Sequence, residues 1–156
     1  MSRLTSHTLQ HNGITTSYYD EGTGPVLLLV HGFTGGKLDF HDQVTYFSDR
    51  CRVIVPDNRG HGETTNTGRR SDYTLETLVD DLHSFIQTLG LSDVHLLGHS
   101  LGGMVAMRYA LTHPGNLSSL ILMDTSATPL NVPADYFSTM ADILQEKGPQ
   151  ALVTLM

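Results

Sequence analysis

Apolar positions along this chain follow two different rhythms. Short unbroken runs at residues 26–30, 52–55, 94–97 and 120–123 show no alternation, which predicts strands covered on both faces. Between them, Leu75, Leu78, Leu82, Ile86 and Leu89 recur at spacings of three and four, so residues 75–89 are expected to form a helix with one apolar face. Thr74 is placed to cap its start and Gly90 to end it. Two further helices are expected, one at about 38–47 and one from Leu101 to about Thr112, where Pro114 and Gly115 stop it. Nearer the amino terminus, alternating stretches at about 8–10 and 14–19 flank Asn12-Gly13, a strong hairpin signal. After an antiparallel start, strands alternating with helices imply right-handed crossovers. The expected fold is therefore α/β, a mostly parallel sheet with helices on both faces, with functional groups at the carboxyl ends of the strands.

The pattern changes after Met123. Residues 124–129 read as a loop, Pro133 opens a helix striped by Tyr136, Phe137, Met140, Ile143 and Leu144, and Lys147-Gly148-Pro149 breaks it before a last segment at 150–156. The expected division is a core at 1–126 and a separate helical portion from 127 to 156.

Chemistry enters at one strand end. Gly98-His99-Ser100-Leu101-Gly102 is a G-x-S-x-G pentapeptide lying between the 94–97 run and the 101–112 helix. A serine at such a strand–turn–helix junction must accept a strained backbone, and the flanking glycines remove the side chains that would clash there. Its hydroxyl then stands clear of the sheet at a helix N-terminus, where free N–H groups favour developing negative charge. Ser100 is thus the candidate nucleophile. A second strand, 26–30, runs out into His31-Gly32-Phe33, a small-residue loop at the same sheet edge.

Bulk properties narrow the classes. A chain of 156 residues suits one domain, and a net charge of −7 with scattered basic residues argues against nucleic-acid binding. The single cysteine, Cys51, excludes an intrachain disulfide and any multi-cysteine metal site; beside the 53–55 strand it reads as a small buried packing residue. No His-x-x-x-His pair with a supporting carboxylate is present, so no metal is expected. Residues 1–12 lack the apolar core of a signal peptide, and no run reaches membrane-spanning length; the expectation is a cytoplasmic protein with no membrane association.

Together these pieces resemble the α/β-hydrolase superfamily, in its serine-nucleophile branch. The resemblance is carried by His31-Gly32-Phe33, the Asp57-Asn58-Arg59-Gly60-His61-Gly62 turn, the Gly98 to Gly102 elbow with Gly103, and the strand ending at Asp124. It implies an oxyanion hole made by the backbone N–H groups of Phe33 and Leu101, a helical cap or lid beginning near 127, and no cofactor. The implied activity is cleavage of a carboxylic ester or related acyl bond of a small apolar substrate through an acyl-enzyme. A carbon–carbon bond or lactone hydrolase on the same fold is the alternative, and a non-catalytic half-molecule needing a complementary fragment is another. Serine at position 100 argues against the dehalogenase and epoxide-hydrolase branches, which place aspartate there.

One family feature is missing. The family order is Ser, then Asp or Glu, then His, and the last two follow strands that would need roughly 50 more residues. The chain therefore reads as the amino-terminal part of the fold, lacking the carboxyl-terminal strands. Its exposed sheet edge is expected to promote self-association or pairing with a complementary fragment. Asp124 is a candidate acid from the strand after the elbow helix. Of the histidines, only His113 follows Ser100, and it lies about 18 Å away at the far end of the elbow helix. His31 and His61 sit at the correct edge but read as loop-organising residues, as Asp57 and Arg59 read as structural turn residues.

Overall fold

The computed structural model describes residues 4–128, 132–133, 135–148 and 150–153. Pro129, Pro149 and residues 154–156, each part of a turn or segment expected above, lie outside the described residues. Among these residues six strands form one sheet, β1 (Ser6–His11), β2 (Ile14–Glu21), β3 (Val26–Val30), β4 (Arg52–Pro56), β5 (Val94–His99) and β6 (Leu117–Met123), in the order β1-β2-β4-β3-β5-β6. The first two form the expected hairpin, with His11 opposite Ile14 and both Asn12 and Gly13 at positive φ as the tight turn demands. β2 runs antiparallel to β4, and β3, β4, β5 and β6 are parallel.

Alternation along the central strands divides the interior into two layers. Leu28, Val30, Ile54 and Leu96 point to one face and pack with Val79, Leu82, Phe85 and Ile86 of α2 (Leu75–Thr88) and Val105, Ala106 and Tyr109 of α3 (Leu101–Thr112). Leu29, Val53 and Val55 point to the other and pack with Phe40 and with Val44 of α1 (His41–Phe47). Helices thus cover both faces. At the start of α2 the Thr74 hydroxyl accepts from the Thr77 N–H, and at its end Gly90 takes a positive φ.

Three details differ from expectation. The 38–47 helix is divided, with a 3-10 turn at Lys37–Phe40 preceding α1, because Asp39 accepts from the Gly36 N–H while Phe40 turns into the second core layer. The helix expected to open at Pro133 begins at Tyr136 as α4 (Tyr136–Lys147), after a turn in which the Tyr136 N–H donates to Pro133; α5 (Gln150–Val153) follows. Cys51 is half-buried against the second core layer rather than fully enclosed.

Among the described residues β6 bonds to β5 on one side only and ends the sheet. Leu120, Ile121, Leu122 and Met123 are each 37–45% exposed, so residues pointing to both faces of this strand meet solvent. No helix among the described residues is long and apolar enough to cross a membrane.

Candidate active site

β5 ends at His99, and the chain turns into α3 through Ser100, whose backbone stands at φ 51°, ψ −116°. A non-glycine residue rarely occupies this region, and the neighbours hold it there. The Ser100 N–H donates to Met123 at the end of β6 (3.0 Å), and its carbonyl accepts from the Gly103 and Met104 N–H groups and from the Thr125 hydroxyl (2.7 Å). Glycines make the turn sterically open: a methyl on Gly98 would lie 2.3 Å from the Gly102 carbonyl oxygen, and one on Gly102 would lie 2.2 Å from that of Val30. Leu101 is the first residue of α3, so its N–H is one of the first-turn donors that have no partner within the helix.

The loop after β3 approaches this turn. A methyl on Gly32 would sit 3.2 Å from the Ser100 Cβ and 3.3 Å from His99 Nδ1, which places the His31-Gly32-Phe33 loop directly beside the elbow. His31 is fully buried; its Nε2 accepts from the Asn58 N–H (2.9 Å), which leaves the proton on Nδ1 to be donated to the Gly32 carbonyl (2.8 Å). His61 presents Nε2 to the Phe33 carbonyl and Nδ1 to that of Arg59, and its ring meets His31 edge-on at 5.0 Å. Both imidazoles thus organise loops, His31 through both of its ring nitrogens and His61 through the Phe33 carbonyl. No imidazole hydrogen-bonds to the Ser100 hydroxyl among the described residues.

Asp57 ties the turn after β4 to Lys37, at the start of the 3-10 turn that follows this loop. One carboxylate oxygen accepts from the Lys37 N–H and the other from Lys37 Nζ, each at 2.7 Å, and Nζ also donates to Glu63 and Ser17 at 3.0 Å. Burial works against the Lys37 charge, but the Asp57 and Glu63 contacts outweigh it and raise the lysine's pKa; the Lys37 contact in turn lowers that of Glu63. Gly62 is required here, since a methyl on it would fall 2.2 Å from an Asp57 oxygen. Arg59 forks onto Asp81 of α2 through two bonds of 2.7 Å, and Asn12 at the hairpin tip donates to the same carboxylate.

Asp57 and Arg59 are accordingly turn-building residues, as the sequence suggests. Lys37 and Glu63 carry no sequence signal of their roles, because nothing local marks a lysine for a partner 20 or 26 residues away. Asp124 ends β6 one strand over from the elbow, at φ 45°, exposed and without a side-chain hydrogen bond among the described residues. His113 caps the far end of α3 through its N–H to Tyr109 and stacks on His83 at 3.8 Å, remote from Ser100.

Burial lowers the pKa of His31, and does the same for His11, below the ordinary 6.5. An unfolded chain takes up these protons below about pH 6.5 while the folded one resists them, so stability is complete above that value and falls as the pH drops. Each histidine contributes at most about 1.4 kcal/mol per pH unit. We expect the melting temperature to fall steadily from pH 7 to 5 in calorimetry; a flat profile would contradict the neutral, buried state of His31.

Residues 25–152 match the family model for the alpha/beta hydrolase fold. Epoxide hydrolase 3 of Siraitia grosvenorii is 33% identical over 132 residues, covering 84% of this chain and 42% of that protein. The cis-3-alkyl-4-alkyloxetan-2-one decarboxylase of Xanthomonas campestris pv. campestris is 37% identical over 127 residues, covering 76% of this chain and 42% of its own length. Among solved structures, a membrane phospholipase A described as a bacterial virulence factor superposes with a TM-score of 0.78 at 27% identity, over 89% of this chain and 45% of that one. Further epoxide hydrolases recur among both relatives and structures. The chain spans under half the length of these relatives. Its sheet order, its elbow at Ser100 and this match agree, and the chain belongs to the alpha/beta hydrolase fold family.

Proposed function

We propose that this chain carries the nucleophile and oxyanion hole of a cofactor-independent serine hydrolase, which cleaves a carboxylic ester or related acyl bond of a small apolar substrate. The observation that carries the reading is the strained Ser100 backbone beside Gly32, held between β5, β6 and α3. Ser100 would attack the acyl carbon, its proton passing to a general base, while the Phe33 and Leu101 N–H groups receive the oxyanion. Collapse of that intermediate expels the alcohol and leaves an acyl-enzyme for water to hydrolyse. In the family order the acid and base follow the nucleophile. The portion from 127 onward would begin the cap, with Tyr136 and Phe137, both exposed, facing an acyl group.

Two of these relatives bear on the bond cleaved. Serine attack on an epoxide would give an alkyl ether, which has no carbonyl for water to attack, so turnover would stop after one event. An oxetan-2-one is a cyclic ester, and its carbonyl is open to the same attack as any acyl substrate. A lactone is therefore the second reading, favoured by the oxetanone relative.

The purified chain tests this directly. With no imidazole on the Ser100 hydroxyl, a fluorophosphonate should label the protein slowly and at Ser100 alone by peptide mass spectrometry, and a short-chain activated ester should turn over only weakly above the buffer rate. A folded chain that takes no label at Ser100 would overturn the reading. Light scattering on the same sample addresses the exposed β6 edge, through which we propose that the chain self-associates or takes up a complementary strand.

A further inference from the structure

The oxyanion loop is held at two successive peptide units by two different imidazoles. In the Gly32–Phe33 peptide, the carbonyl accepts from His31 Nδ1 (2.8 Å) and from the Gly35 N–H (3.2 Å). Carbonyl and N–H point in opposite directions across a trans peptide, so fixing the Gly32 oxygen fixes the direction of the Phe33 N–H. In the next unit, the Phe33 carbonyl is taken by His61 Nε2. Rotation of the Phe33 N–H must therefore break bonds on both sides of it.

We propose that His31 and His61 are positioning residues that aim the Phe33 N–H at the oxyanion of a Ser100 adduct, a role that rests on the serine-hydrolase reading above. Each ring is itself held from the Asn58–His61 turn. His31 accepts from the Asn58 N–H and Asn58 Nδ2 donates back to the His31 carbonyl (3.1 Å), while His61 belongs to that turn. The chain of bonds runs from the Asn58 N–H through the His31 ring to the Gly32 carbonyl, and each bond polarises the next, which makes the Phe33 N–H a better donor. The turn itself cannot drift, because Arg59 is forked onto Asp81 and Asp57 grips Lys37 at both main chain and side chain. Through these links the second loop sets the electrostatics of the first without touching substrate.

His61 is the informative position, since it is only half-buried and can be changed without opening the core. His61→Leu removes the donor to Phe33, and His61→Gln keeps an N–H there. Fluorophosphonate labelling of the 156-residue chain should lose about 10- to 100-fold in its limiting rate in H61L, with the reagent's apparent affinity unchanged, and recover most of that in H61Q. The Phe33 carbonyl-carbon resonance, followed by NMR, should move in H61L and stay near the parent value in H61Q. An equal limiting rate in H61L and parent, or an unmoved Phe33 resonance in H61L, would overturn the positioning role while leaving the nucleophile assignment intact. A folded parent chain that takes no label overturns both.

Discussion

Ser100→Gly should bring reaction with fluorophosphonate and ester turnover down to the buffer rate, and the variant should unfold no earlier than its parent. The loss follows from removing the hydroxyl that would carry the acyl group, without which no acyl-enzyme forms. The stability side follows from the backbone. Serine at φ 51°, ψ −116° stores strain of about 1–3 kcal/mol, which glycine relieves at an entropic cost of about 0.5–1 kcal/mol. Ser100→Ala should lose activity equally but keep the strain, so glycine should melt at the higher temperature of the two. Hydrolysis undiminished from the parent's in either variant would remove Ser100 from the mechanism.

Gly102→Ala is expected to cost about 3 kcal/mol or more and to slow Ser100 labelling in whatever fraction still folds. Its new methyl would lie 2.2 Å from the Val30 oxygen and 2.6 Å from the His31 oxygen. These are backbone atoms at the end of β3, so relief requires moving the strand that leads into the oxyanion loop. Gly115→Ala serves as the control, because nothing lies within 4 Å of the added carbon. Chemical denaturation should separate the two variants widely; a Gly102→Ala protein as stable as the control would show that the elbow has slack.

What could be read from the sequence was what is encoded locally. The α2 stripe, its Thr74 cap and the Asn12-Gly13 hairpin each depend on residues a few positions apart, and they form where expected. The elbow was equally legible, since the glycines that permit it flank the serine. The internal division of residues 37–47 was not, because it depends on where Phe40 finds its cavity in the second core layer. Nor were the partners of Lys37: Asp57 and Glu63 are brought to it only by the β3–β4 crossover. The histidines show both cases. A loop-organising role for His31 and His61 followed from their motif positions, whereas the particular carbonyls they hold required the folded loop.

The bond from the Ser100 N–H to Met123, with the Thr125 hydroxyl on the Ser100 carbonyl, has a consequence for the order in which the site is made. The strained serine is gripped by residues that leave the ribosome more than twenty positions after it. A nascent chain that has formed β3, β4 and β5 therefore still lacks the contacts that hold the elbow, and the nucleophile matures only as β6 docks. The same dependence sets where the chain can be cut for two-piece reconstitution. A break on the carboxyl side of Thr125 leaves the elbow whole in one fragment, whereas a break between α3 and β6 divides the serine from the strand that holds it.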